Sequence, residues 1–186
     1  APISTLSDIM TGNSPSRSDE LNFGHSIEWI KSDNLGKPIA TMATEMLSEK
    51  GREKARVAPS GSVLVTCIAG SKTSIGKASI VDRDVAFNQQ INAILPTDSL
   101  DPSFLLWHLK VAPDLVRHKS AGGMKGRVIR SAFGSIEILH PRLDLQRTFA
   151  REAEQILKLQ RALDRKSKTA ESLRSALQTR AFRGEL

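Results

Sequence analysis

The sequence predicts an α+β protein: a mixed, strand-rich globular domain over residues 1–142, followed by one long α-helix over 143–186 that forms a coiled coil. Three observations carry this expectation. Up to residue 142, short β-branched and apolar runs alternate with glycine and proline. From Leu143 to Phe182 there is neither glycine nor proline, and Leu, Ala, Gln, Arg, Glu and Lys dominate. Along that stretch, apolar side chains return every seven positions.

In chain order, HSIEWI, GSVLVTCI, KASIV, NAIL and GSIEIL read as short strands separated by turns. Residues 39–55, IATMATEMLSEKGREKA, are helical by propensity, with Gly51 as the terminator, before RVAPSG turns into a strand. Asp101 is an N-cap and Pro102 occupies the first helical position of SFLLWHLKV, which Pro113 stops. DLVRHKS adds a further turn. In FNQQINAI, strand alternation places Asn88 and Gln90 on one face and Gln89 on the other; a buried amide tying strands together is the favoured reading of this run, and contact with adenine is its alternative. Trp29 and Trp107 are expected core anchors.

The terminal helix has Pro141 at its start and Gly184 just past its end. At about 1.5 Å per residue, some forty residues reach about 60 Å, more than the width of a compact domain of this size. Its stripe consists of Phe149, Ile156, Leu163, Ala170 and Leu177, widened by Leu145, Leu159 and Leu173 and interrupted by Gln160, Ser167 and Arg174. A partner helix would bury that stripe and hold two domains at a fixed separation; the alternative is a helix folded back over its own domain.

The composition narrows the function classes. A formal net charge of +7 draws the protein to polyanions. Six Phe, two Trp and no Tyr argue against a stacking platform for single strands and favour duplex DNA. No apolar run approaches the ~20 residues of a membrane helix. The amino terminus has neither a basic start nor an apolar segment, so a cytoplasmic location is expected, and Ala1 in place of Met fits a processed or trimmed chain. The single Cys67 lies in the apolar run VLVTCIAG, where it is expected to be inert and cannot form an intrachain disulfide or a zinc site. His25, His108, His118 and His140 have no carboxylate or cysteine at a suggestive spacing, and no methyltransferase amino-donor motif occurs. The expectation is a non-catalytic chain with no cofactor and no metal.

Three loops carry the candidate DNA contacts. AGSKTSIGKASIV, residues 69–81, is not a nucleotide cradle: Gly70 and Gly76 are six apart rather than five, and Ala78 stands where a magnesium-binding hydroxyl would be. It reads either as a plain turn or as a DNA contact in which Lys72 and Lys77 neutralise phosphates and Ser71, Thr73 or Ser74 add hydrogen bonds. RHKSAGGMKGRVIR gathers Arg117, Lys119, Lys125, Arg127 and Arg130 around glycines that permit close backbone approach, with no acid among them, which favours a phosphate clamp over the alternative, a solvated charge run. NSPSRSDELNFG supplies Asn13, Ser16 and Arg17, able to read base edges or phosphates, with a turn-forming linker as its alternative. Lys31 in IEWIKSDNL completes the set of candidate contacts.

Seven segments in order carry a family resemblance: LSDIMTGNSPSRSD with Gly12 and Pro15; IEWIKSDNL with Trp29 and Asp33; GSVLVTCIAGS followed by Ile75, Gly76 and Lys77; FNQQINAI; AGGMKGRVIRSAF; IEILHPRLDLQ; and TRAFRGEL. The chain resembles half of a specificity subunit of a type I DNA restriction-modification system, one target recognition domain followed by one conserved helix. The resemblance implies that the domain reads one half of a split double-stranded DNA site and that the helix sets the distance to the other half. DNA methyltransferase subunits and a restriction endonuclease subunit would then do the chemistry. A full subunit has two such units in tandem, so the chain is either a natural half-subunit that forms a homodimer through the long helix or a carboxy-terminal fragment of a longer protein. The rival from another class is a non-catalytic dimeric scaffold that binds nucleic acid nonspecifically.

Overall fold

The computed structural model describes residues 1–121 and 126–184. It comprises two units, Ala1–Gln146 and Arg147–Leu186. The first opens with helix α1 (Ile3–Leu6) and strand β1 (Ile9–Thr11). Strand β2 (Phe23–Ile30) leads through β3 (Met46–Leu47), α2 (Glu49–Lys54) and β4 (Val57–Ala58) to β5 (Val63–Thr66). Strands β6 (Ile68–Ala69), β7 (Ala78–Ile80), β8 (Val85–Phe87) and β9 (Ile91–Ile94) follow, then α3 (Pro102–Val111), α4 (Asp114–Arg117), β10 (Gly126–Arg127) and α5 (Arg130–Gly134). Helix α6 spans Leu143–Phe182.

Two four-stranded sheets form the frame. One, ordered β1-β9-β5-β7, is antiparallel throughout; the other, β3-β2-β8-β4, contains one parallel pair, β2 with β8. Strand β5 is buried on both faces. Val63 and Val65 pack in one cluster with Leu105, Leu106 and Leu109 of α3 and Phe133 of α5, while Leu64 packs with Ile30, Val85 and Phe87 of the second sheet. A strand covered on both sides must be apolar at every position, hence the unbroken run VLV. Cys67 sits in the first cluster, and burial pushes its thiol up to about 12, so it stays protonated and inert at neutral pH.

Helix α3 begins as its sequence dictates. The Asp101 carboxylate accepts from the backbone N–H of Ser103 and Phe104 at 2.9 and 3.0 Å, with Pro102 in the first turn. Gln146 anchors the first turn of α6: it is fully buried, donates to the carbonyls of Ser99 and Pro141, and accepts from the Asp101 N–H. The helix ends at Phe182, and Gly184 takes a φ of +69°, a left-handed turn that glycine accommodates.

Four local expectations are corrected. Only Glu49–Lys54 of residues 39–55 is helical; before it, Ile39 bridges to Ile80, the Glu45 carbonyl accepts from the Trp29 N–H and Met46–Leu47 pairs with β2. Pairing with a sheet edge outweighs local helix propensity here. Gly51 lies inside that short helix rather than ending it, because a Cβ there would sit 2.0 Å from the Asn22 carbonyl oxygen. GSIEIL is not a strand: Gly134 closes α5, and residues 136–138 run beside the chain start, through an isolated Pro2–Glu137 bridge and the Ile3 N–H to Ile136 carbonyl bond, with Ile136 and Ile138 buried in the core. Residues 88–90 form a turn from β8 to β9 rather than a strand; within it the Asn88 amide does tie neighbours together, donating to Gln90 Oε1 at 3.0 Å.

Candidate nucleic-acid interface

Strands β1, β2 and β5 all finish at the same end of the frame, where the β8–β9 turn also lies. The Gly12 N–H donates to the Ile91 carbonyl and the Asn13 N–H to the Phe87 carbonyl; the Asn88 N–H donates to the Ile30 carbonyl; the Gln90 carbonyl accepts from the Cys67 and Ile68 N–H groups. The segments leaving those strand ends therefore emerge side by side: the loop with Asn13, Ser16 and Arg17, then Lys31, then the loop with Ser71, Lys72, Thr73 and Lys77. Three separate stretches of sequence become one surface.

The second basic loop joins the first through the β6–β10 ribbon, in which Arg127 pairs with Ile68 and Gly126 with Ala69. A Cβ at Gly126 would lie 2.2 Å from Ile75 Cδ1 and 2.7 Å from Ser120 Oγ, so any larger residue there would have to displace both side chains. Arg117 then fastens the two loops: its Nε and one terminal nitrogen donate to the carbonyls of Ile75 and Thr73, both at 3.2 Å, and the other terminal nitrogen pairs with Asp114. In sequence, Arg117 reads as one cation of the basic cluster. Its guanidinium instead serves carbonyls of the neighbouring loop, because a fork of donors can satisfy several acceptors at once.

Lys72, Lys77, Lys119 and Arg127 are exposed and have no ion-pair partner among the described residues. Ser71 Oγ lies 3.1 Å from both Thr73 Oγ1 and Ser74 Oγ, a cluster of exchangeable hydroxyls beside Lys72. Lys125 lies outside the described residues. Arg130 does not join this surface: it lines a hollow with Ser4 and Asp8, at the end where β1 begins.

On the other flank the cations are already engaged. Glu45 accepts from Arg17 through both carboxylate oxygens, at 3.1 and 2.9 Å, and from Lys31. The Arg17 guanidinium lies 5.6 Å from the Phe23 ring centre and 5.5 Å from that of Trp29, over which Lys31 also sits at 5.0 Å. Trp29, only 3% exposed, is the core anchor expected and donates its indole N–H to the Asn13 carbonyl. The cluster presents two cations against one anion. Asn13 is engaged by the fold: its amide donates to the Lys54 carbonyl at 2.8 Å and accepts from the Arg56 N–H at 2.7 Å, which leaves it little capacity as a base reader. Ser16 remains exposed, its hydroxyl 2.8 Å from that of Ser18. Sequence reasoning missed Glu45, which lies fourteen residues from Lys31 and twenty-eight from Arg17 and gives no local signal.

The two hydrogen-bonded cations hold the Glu45 carboxyl down at about 2, from an ordinary 4.5. A carboxylate whose pKa is depressed by folding stabilises the fold fully above its unfolded value, and that contribution fades as pH falls from about 4.5 toward 2. Melting temperature followed across that window should therefore drop more steeply for the natural chain than for Glu45→Gln.

Among the described residues, no group of three or more His, Cys, Asp or Glu could hold a metal ion, and no helix is long and apolar enough to cross a membrane.

Residues 2–173 match the family described as type I restriction modification DNA specificity domain. The chain is 27% identical over 191 residues to the type I restriction enzyme HindI specificity subunit of Haemophilus influenzae, covering 99% of this chain and 40% of that protein. It thus spans well under half of that curated relative. Among solved structures, it superposes with a TM-score of 0.75 and 23% identity on a chain from work on complex assembly and conformational transition of the type I R-M system, covering all of this chain and 46% of the other. The HsdS subunit from Thermoanaerobacter tengcongensis gives a TM-score of 0.66 at 20% identity, covering all of this chain and 45% of that one. At such identities the structural likeness establishes the fold.

Proposed function

Since the chain belongs to the type I restriction modification DNA specificity domain family, we propose that it reads one half of a bipartite double-stranded DNA site and carries that reading to subunits that do the chemistry. Residues 1–142 serve as the target recognition domain and 143–186 as the spacer and dimerisation helix. DNA methyltransferase subunits and a restriction endonuclease subunit are its partners in the cytoplasm, and the chain itself is non-catalytic.

The observation that carries this reading is the convergence of the loops bearing Arg17, Lys31, Lys72, Lys77 and Arg127 on one end of both sheets. Exposed cations supply affinity for phosphates, while polar groups between them are available for base edges. The stripe on α6 supports pairing with a second copy. Two identical domains related by a twofold axis would read a split palindrome, since the symmetry of the protein is copied into its site.

Genome-wide mapping of methylated bases, in cells with the chain and its methyltransferase and in cells lacking only the chain, tests the proposal. A bipartite motif that disappears with the chain is the expected result; an unchanged methylation pattern would sink it. A nonspecific scaffold would likewise show less than the ~10³-fold preference over random duplex typical of a specific reader.

The basic ribbon makes a second prediction. Replacing Lys72 and Arg127 by glutamine should weaken binding to every duplex alike, with the slope of log K against log salt shrinking by about 0.9 for each phosphate that is no longer neutralised. Equal slopes for variant and natural chain in a salt titration would remove these side chains from the interface.

A further inference from the structure

We infer that Gln89 is a specificity-determining residue that reads the edge of one base pair, through the hydrogen-bonding pattern of adenine in the major groove. The inference rests on the DNA-reading function proposed above.

Its position is the first ground. The β8–β9 turn bridges the two sheets at the end where the basic loops emerge. On one side the Asn88 N–H is bonded to Ile30, next to Lys31; on the other the Gln90 carbonyl holds Cys67 and Ile68, which lead into the ribbon with Arg127 and the loop with Lys72 and Lys77. Gln89 therefore stands between two sets of cations. A duplex groove has that layout, a row of phosphates on either side and base edges between.

Its mounting is the second. Asn88 and Gln90 are locked to each other, Asn88 Nδ2 to Gln90 Oε1 at 3.0 Å and the Gln90 N–H to Asn88 Oδ1 at 3.1 Å, and Ser32 Oγ approaches the same Gln90 oxygen at 3.4 Å. The Asn88 side chain is buried, whereas that of Gln89 is exposed. Its Oε1 accepts from Ser14 Oγ, and its amide nitrogen has no partner among the described residues. The hydroxyl orients the amide before any ligand arrives, leaving two N–H donors and the second lone pair of Oε1 for a bidentate pair with adenine N7 and N6. A long side chain fixed on a rigid turn loses little freedom on binding, which is what a reader requires.

The test compares methylation motifs in cells carrying the natural chain, Gln89→Ala or Gln89→Glu, each with its methyltransferase, and checks by melting that both variants fold. A glutamate side chain is nearly isosteric with glutamine but lacks the N–H donors, so both substitutions should relax the same A·T position in each half-site read by this chain, by roughly 5- to 100-fold in preference, while the remaining positions keep theirs. A motif unchanged in both variants would overturn the inference and leave the proposed function standing. Methylation reduced evenly at every site by folded variants would overturn it too, since the residue would then contribute only general affinity. Failure of the proposed function shows differently, as a methylation pattern indifferent to removal of the whole chain.

Discussion

Replacing Ile156 and Leu163 together by aspartate is expected to leave the chain unable to associate through its helix. Both side chains stand on the stripe formed with Phe149, Ala170 and Leu177 and are exposed, at 56% and 68%. Leu159 and Leu173 flank them at 70% and 60%. In a paired helix each such side chain would contribute about 1.5–3 kcal/mol by leaving water. Two carboxylates in that seam would each demand either solvation or a partner, and repulsion between copies would add to the penalty. Sedimentation of the natural chain and the double variant at micromolar concentration reads the outcome directly. The natural chain should run as an assembly and the variant at the mass of one copy, with the melting of the Ala1–Gln146 unit unchanged. Identical masses would show that the stripe holds no partner helix.

Gly12→Ala should strongly destabilise the Ala1–Gln146 unit. A Cβ at this position would lie 2.3 Å from the Asn88 carbonyl oxygen and 2.4 Å from that of Phe87, both backbone atoms that cannot swing aside. The Gly12 and Asn13 N–H groups bond to Ile91 and Phe87 at 3.1 Å, so relief of the clash would pull the end of β1 away from the β8–β9 turn. A destabilisation of about 3 kcal/mol follows from overpacking of this kind, equivalent to roughly 10 °C in melting temperature for a unit of this size. DNA binding should fall as well, because the loop bearing Arg17 would lose its register against the turn. Gly70→Ala is the matched control: nothing lies within 4 Å of its Cβ position, and its melting should match that of the natural chain.

How far the site could be read in advance differs from loop to loop. Lys72, Lys77 and Arg127 are recognisable as candidate phosphate contacts because charge and glycine content are local properties, and all three are exposed. Arg117 looks the same in sequence yet is held by the carbonyls of Thr73 and Ile75, more than forty residues away. Arg17 and Lys31 also look free, and Glu45 claims both. Asn13 shows the same effect for a neutral group, with both ends of its amide bound to residues 54 and 56. In each case the deciding partner is distant along the chain, so no window of sequence contains it.

What the sequence by itself determined is whatever short-range forces decide: the long helix with its glycine stop, the Asp101–Pro102 start of α3, the doubly buried strand around Leu64, and the ordered segments that mark the family. Helix formation, capping and the burial of alternate or successive apolar residues act within a few positions and leave a pattern there. Tertiary structure alone decided that residues 45–47 lie along β2, that three loops share one face, and that Gln89 stands between two sets of cations. Those outcomes depend on pairings such as β2 with β8 and β6 with β10, whose partners lie more than fifty residues apart. The free energy of such contacts belongs to the assembled sheets and has no counterpart in any one segment.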